Sequence, residues 1–250
     1  MKIGIIIQAR LGSTRLPNKM ILPFYNEMGI LELILLRLAK LTSIPIIVAT
    51  TTSKRDDEIE KIALKHNMNC FRGNENNVLD RFIQAATKFE LDKVIRICAD
   101  NPFLDLPALK SLINHYSNKQ VDYCAFYTRD GKPTIQTHFG FWAEGVSVKA
   151  LKQIEKNTKD PLYLEHVTNY IYSNSDDFSI HKELIPKTVD STDYLRLTLD
   201  TEEDFNLLKE IYAYFLQNDL ELKSEMITSK VLQNDKWLTV MKTEILNNKK

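Results

Sequence analysis

No excess of charge of either sign marks this chain, in which 33 Lys and Arg stand against 33 Asp and Glu over 250 residues. A balanced surface excludes a global field that would draw the protein to nucleic acid or to an anionic membrane, so any anion site has to be local. Cysteine is scarce as well. Cys70, Cys98 and Cys124 are odd in number and far apart, and two of them sit in apolar runs. That argues against a disulfide framework and against a cysteine-bound metal, and for a reducing cytoplasm. Long hydrophobic runs are also missing. The apolar stretch before Gln8 is too short for a signal-peptide core, and no later run has the length of a bilayer. These absences predict a soluble, unprocessed protein with neither membrane nor nucleic acid among its partners. The length still allows one large domain with a substantial core.

What is present is concentrated near the start. Gln8-Ala9-Arg10-Leu11-Gly12-Ser13-Thr14-Arg15-Leu16-Pro17-Asn18-Lys19 puts three cations, one glycine and two hydroxyls directly behind Ile3-Gly4-Ile5-Ile6-Ile7, a run that reads as a buried strand. Backbone N–H groups around Gly12 and Ser13 can approach phosphate oxygens closely, while Arg10, Arg15 and Lys19 supply charge and forked donors. With one glycine and no Gly-Lys-Ser/Thr, the loop is not a Walker A loop.

Apolar runs alternate with amphipathic stretches through the first half, the pattern of βα units on a mainly parallel sheet, an α/β fold. The expected strands are Ile3 to Ile7, Pro45 to Ala49, Cys70 to Phe71, Lys93 to Cys98 and Asp122 to Phe126. The expected helices are Ile30 to Leu41, Asp56 to His66, Val78 to Phe89 and Leu106 to Tyr116, the last opened by an Asp105 cap and an early Pro107. Residues 1–126 read as a nucleotide-binding part. Residues 127–190 mix polar loops, aromatics and one helix around Leu162 to Tyr172, and read as an inserted lobe for substrate or dimerisation. A closing strand, Tyr194 to Leu199, a helix from Glu202 and a helical or mixed stretch from about Leu220 complete one domain over 1–250.

In open α/β sheets ligands sit beyond the carboxyl ends of the strands. The basic loop follows the first strand, Asp100 follows Val94-Ile95-Arg96-Ile97-Cys98-Ala99, and Asp200 follows Leu195-Arg196-Leu197-Thr198-Leu199. Two carboxylates near a triphosphate loop predict a magnesium site, since this hard ion takes one or two carboxylates and completes its octahedron with phosphate and water. Either aspartate alone would be read as a turn former or helix cap, and the loop cations alone as solvated; their joint placement favours the site. His138, His166 and His181 show no metal-ligand spacing and read as structural or surface residues. Trp142 and the tyrosines of 163–172 read as core or interface packing.

The chain resembles the bacterial cytidylyltransferases of the spore-coat polysaccharide type, relatives of the CMP-sialate and CMP-Kdo synthetases. The resemblance rests on residues 7–19, Val48-Ala49-Thr50-Thr51, the stretch from Gly73 to Arg81, Arg96-Ile97-Cys98-Ala99-Asp100-Asn101-Pro102, Leu164-Glu165-His166-Val167-Thr168 and Leu195-Arg196-Leu197-Thr198-Leu199-Asp200-Thr201, and it covers residues 1 to about 215. It implies a GT-A-like, Rossmann-like nucleotidyltransferase fold and transfer of CMP from CTP to a sugar, with pyrophosphate release. It further implies that Gln8, Ala9 and Gly12 frame the nucleotide, that Arg10 and Lys19 bind its phosphates, that Thr50 and Arg81 lie near the base, that Asp100 and Asp200 hold Mg2+, and that the protein is a homodimer. Where many relatives carry a Gly-Leu-Asp-Val-Glu-Val-type segment, this chain has Phe139-Gly140-Phe141-Trp142-Ala143-Glu144-Gly145-Val146. The acceptor is therefore open: a sugar acid is expected, with Arg129, His138 and Glu144 as candidates for touching it. A sugar 1-phosphate nucleotidyltransferase, a GT-A glycosyltransferase and a non-catalytic nucleotide-binding protein are the alternatives, although no Asp-x-Asp pair ends the fourth strand as the glycosyltransferase would require.

Overall fold

The first strand, β1 (Ile3–Gln8), forms where isoleucines crowd together, because β-branched side chains fit a pleated surface and the strand is buried on both faces. Its alternation divides the core: Ile5 and Ile7 join one apolar cluster and Ile6 another. The computed structural model describes residues 1–41 and 44–248. After β1 come α1 (Ile30–Ala39), β2 (Ile46–Thr51), α2 (Asp57–Lys65), β3 (Asn69–Gly73), α3 (Val78–Lys88), β4 (Lys93–Cys98), α4 (Leu106–Asn118) and β5 (Tyr123–Tyr127), the expected βα alternation. Asn77 and Asp105 cap α3 and α4, each side chain accepting the backbone N–H three residues on.

Beyond Tyr127 follow β6 (Glu144–Ser147), α5 (Val148–Asn157), α6 (Pro161–Glu165), α7 (Asn169–Ser173), β7 (Ile180–Leu184), α8 (Lys187–Asp190), α9 (Glu202–Gln217), α10 (Ser224–Leu232) and α11 (Asp235–Asn247). The described strands build one sheet in the order β3-β2-β1-β4-β6-β5-β7. Every neighbouring pair is parallel except those of β6, which runs antiparallel to both β4 and β5. One face is covered by α1, α2, α4 and α9 to α11, the other by α3, α5 and α7. This is a mostly parallel α/β sandwich of three layers, as expected, and residues 127–190 contribute two of its strands as well as helices.

Two expectations are corrected. Tyr194 to Leu199 forms no strand and joins no ladder: the N–H groups of Leu197 and Thr198 both donate to the His138 carbonyl, at 2.7 and 3.2 Å. Gly140 makes this approach possible, since its φ is +67° and an added Cβ would lie 2.6 Å from the Leu197 carbonyl oxygen. The helix expected around Leu162 to Tyr172 breaks at His166 into α6 and α7, because His166 leaves helical geometry at φ −100°, ψ 74°. The three cysteines are free. Among the described residues no helix is long and apolar enough to cross a membrane.

Candidate active site

The basic loop is held at both ends by the core. Ala9 is buried and its N–H donates to the Ala49 carbonyl of β2, while Leu11 and Met20 are buried farther along. Between them the Leu11 N–H donates to Asp56 Oδ1 at 2.8 Å. Asp56 is 2 % exposed and also accepts from the Thr51 backbone and hydroxyl, so one buried carboxylate ties the loop to the end of β2. Asn18 takes φ +61°, which turns the chain so that its N–H reaches the Leu11 carbonyl. Ser13 Oγ accepts the Leu16 N–H at 3.4 Å. At Gly12 an added Cβ would meet Arg55 Nη1 at 3.2 Å and Glu75 Oε1 at 3.4 Å, so the loop is bordered there by a further cation.

The loop's three cations each face a carboxylate. Lys19 is buried and its ammonium donates to Asp100 Oδ2 at 2.9 Å and to the Leu199 carbonyl at 2.5 Å, joining the end of β4 to the end of the 195–199 segment. Arg15 donates to Asp200 Oδ1 at 2.8 Å. Arg10 reaches across to Glu165 at the end of α6, at 3.0 Å. Asp100 and Asp200, far apart in sequence, line one cleft of about 670 Å³ together with Gln8 and Arg15; Trp142, His166, Asn169 and Tyr172 line it from the chain beyond β5.

Several cleft features were not read from the sequence. Arg96 lies in the cleft wall, 6 % exposed, its Nη1 donating to Glu144 Oε1 and its Nη2 to Gln8 Oε1 at 3.2 Å. Glu144 in turn accepts from the Thr168 and Tyr123 hydroxyls. Burial opposes the guanidinium charge, but the Cys98 and Glu144 interactions outweigh it and hold Arg96 above its ordinary pKa. Burial and the nearby Glu144 carboxylate push the Tyr172 phenol up. Lys132 also lines the cleft. A cation inside an apolar run, as in Val94-Ile95-Arg96-Ile97, was the available signal for Arg96.

The acceptor candidates fare differently from the nucleotide candidates. Glu144 is 4 % exposed and is spent on Arg96, so it supports the cleft wall and does not face the cleft. Arg129 donates to Asp190 Oδ2 at 3.0 Å and to the Ile185 carbonyl at 3.2 Å, and with His138 it lines a neighbouring hollow. Thr50 and Arg81 are fully buried. Arg81 Nη1 donates to the Asn74 carbonyl at 2.7 Å, while its Nε and Nη2 and the Thr50 hydroxyl have no partner among the described residues. Burial, and next the charge of Arg10, pull Arg81 down to about 10.

Asp100 and Asp200 suit a hard cation, since both are oxygen donors lining one cleft, which Arg15 lines as well. Among the described residues no three or more His, Cys, Asp or Glu gather as a ready-made metal cage. Two carboxylates match an ion that takes its remaining ligands from phosphate and water.

Comparison with known proteins identifies the family. The family model described as Cytidylyltransferase matches residues 4–237. The chain is 30% identical over 232 residues to the spore coat polysaccharide biosynthesis protein SpsF of Bacillus subtilis, covering 90% of this chain and 92% of that one. A solved cytidylyltransferase from Leptospira borgpetersenii serovar Hardjo-bovis superposes with a TM-score of 0.81 at 28% identity, covering 95% of this chain and 97% of that one. A CMP:2-keto-3-deoxy-manno-octonic acid synthetase complexed with CTP shares the fold at a TM-score of 0.62 and 14% identity, over 86% of this chain and 99% of that one. With a phosphate-suited loop, two convergent aspartates and a family match running almost from end to end, the chain belongs to the cytidylyltransferase family.

Proposed function

We propose that this protein is a magnesium-dependent enzyme that transfers CMP from CTP to a sugar acid of the sialic, nonulosonic or Kdo type, in the cytoplasmic synthesis of a surface polysaccharide or glycan, working as a homodimer. The observation that carries the reading is the meeting of Lys19 with Asp100 and of Arg15 with Asp200 at the wall of one cleft. The family match, the polysaccharide role printed in the name of the Bacillus relative and the CTP bound to the fold neighbour support it.

In the reaction the acceptor hydroxyl oxygen forms a bond to the α-phosphorus of CTP, the bond from that phosphorus to the bridging oxygen breaks, pyrophosphate leaves and the hydroxyl proton passes to solvent. Nucleotidyl transfer of this kind asks for in-line positioning and charge neutralisation more than covalent work. Arg10, Arg15 and Lys19 exchange their carboxylate partners for phosphate oxygens, and the N–H groups around Gly12 and Ser13 approach the same anion. Asp100 and Asp200 would hold a Mg2+ ion, which when bound would supply further charge neutralisation and lower the pKa of the acceptor hydroxyl. Thr50 and Arg81, buried with unspent donors, are the residues closest in chemistry to what a cytosine ring requires. Arg129 is committed to Asp190, so the cation for an acceptor carboxylate is Lys132, which lines the cleft.

The test is pyrophosphate release with Mg2+, offering CTP, UTP, GTP and ATP against sialic-type acids, Kdo and sugar 1-phosphates. Turnover with CTP and one sugar acid, abolished by Asp100→Ala, is expected. Turnover of a sugar 1-phosphate with another nucleotide would overturn the cytidylyl assignment, and tight CTP binding with no turnover would point to a binding role.

A further inference from the structure

Behind Asp200 lies a charged arrangement that the reaction above does not use. Arg196 has a fully buried side chain. Its Nε donates to Asp204 Oδ1 at 2.7 Å and its Nη2 to Asp204 Oδ2 at 2.6 Å, a forked pair that fixes the plane of the guanidinium. Nη2 also reaches Asp200 Oδ2 at 3.3 Å, and Nη1 lies 2.7 Å from His138 Nδ1. Because arginine only donates, His138 Nδ1 is the acceptor in that contact. Asp204 repeats the tie through the main chain, accepting the N–H groups of Asp200 and Thr201 at 2.9 and 3.1 Å. The C-terminal helix closes the arrangement from behind: Thr201 donates its hydroxyl to Glu244 at 2.7 Å, and the Arg196 N–H points at the Met241 sulfur at 3.4 Å.

The two oxygens of Asp200 are therefore held by unlike partners. Oδ2 faces a buried, doubly anchored Arg196, whereas Oδ1 faces Arg15, whose side chain is 55% exposed. We propose that Arg196 is a positioning residue that turns Asp200 so that Oδ1 alone is presented to a divalent cation in the cleft, with α11 bracing it through Glu244 and Met241. The inference rests on the reading of Asp200 as a metal ligand. Arg196 touches neither substrate nor metal; it fixes the angle at which the carboxylate enters the cleft, and losing such a partner typically costs a metal site 10- to 100-fold in affinity.

The experiment is Mn2+ binding followed by electron paramagnetic resonance, with CTP present, in the parent protein and in Arg196→Lys, Glu244→Gln and Asp200→Asn, each first checked by thermal melting. CTP binding without metal is measured alongside. Arg196→Lys keeps the charge and loses the fork, so Mn2+ affinity is expected to fall about 10-fold while metal-free CTP affinity stays within about twofold of the parent. A merely structural role would move both together. Should Arg196→Lys fail to fold, Glu244→Gln, on the far side of Thr201, is expected to weaken Mn2+ binding in the same selective way. Unchanged Mn2+ affinity in the folded Arg196 variant, with a clear loss in Asp200→Asn, would overturn the inference and leave the metal reading standing. Unchanged affinity in Asp200→Asn itself would overturn both.

Discussion

Lys19 shows at the scale of one residue why the site is assembled where it is. Its ammonium is buried between Asp100 and the Leu199 carbonyl, so a single cation links two stretches of chain separated by a hundred residues. Replacing it with methionine keeps the stem and removes the charge. We expect kcat/KM to fall by about 10²–10³, the usual effect of losing one positioned donor to a developing anion; a variant within threefold of the parent would remove Lys19 from the reaction. Glu144 makes the opposite argument. Glu144→Ala leaves the Arg96 charge buried and unpaired, and breaking such a pair costs about 3–5 kcal/mol, readable by urea unfolding. Had Glu144 been an acceptor ligand, Glu144→Gln would raise the acceptor KM with little change in stability. The expected outcome is the reverse, with loss of stability dominating.

At the scale of elements, the Phe139–Phe141 turn and the 195–199 segment depend on one glycine. In Gly140→Ala the new Cβ sits on the Leu197 carbonyl at a backbone angle that side chains avoid, and a loss of about 1–3 kcal/mol is expected. A melting temperature equal to the parent's would show that the two segments do not pack as described. The same pair of segments explains what was legible beforehand. β1, β2 and β4 are buried on both faces, so their apolar runs announced strands, and α4 was announced by its Asp105 cap and proline. Tyr194 to Leu199 carries the same apolar signature because Leu195, Leu197 and Leu199 are buried, yet the Leu197 and Thr198 N–H groups share one carbonyl and the Arg196 N–H points at a sulfur, none of them joining a neighbouring strand; side-chain pattern reports burial, not hydrogen-bond partner. β6 has only four residues, two of them Gly145 and Ser147, and β7 at the sheet edge has no buried residue and three polar ones in its middle, so neither rose above the loops around it. That Arg15, Asp100 and Asp200 come together at one cleft was readable because cations and aspartates mark the ends of apolar runs; the surroundings of Arg129, His138 and Glu144 were not, since whether they face a cleft or a buried partner depends on contacts made by distant segments.

Across the whole molecule, the Arg10–Glu165 pair joins the phosphate-suited loop after β1 to the short helix α6, whose neighbour His166 lines the cleft. A triphosphate that takes Arg10 has to displace Glu165, so the segment bearing α6 competes with the nucleotide for one guanidinium. Both side chains are partly exposed, 33% for Arg10 and 51% for Glu165, and pairs of that kind contribute about 0.2–1 kcal/mol. Glu165→Gln is therefore expected to tighten CTP binding modestly, by less than about fivefold. The gain should shrink as salt rises, because screening weakens the pair in the parent protein before it affects the buried Lys19 contact. Calorimetric titration with CTP at low and at high ionic strength reads both effects at once. Weaker binding in Glu165→Gln at low salt would mean that Glu165 helps to present Arg10 to the nucleotide, and the competition between α6 and the triphosphate would then have to be abandoned.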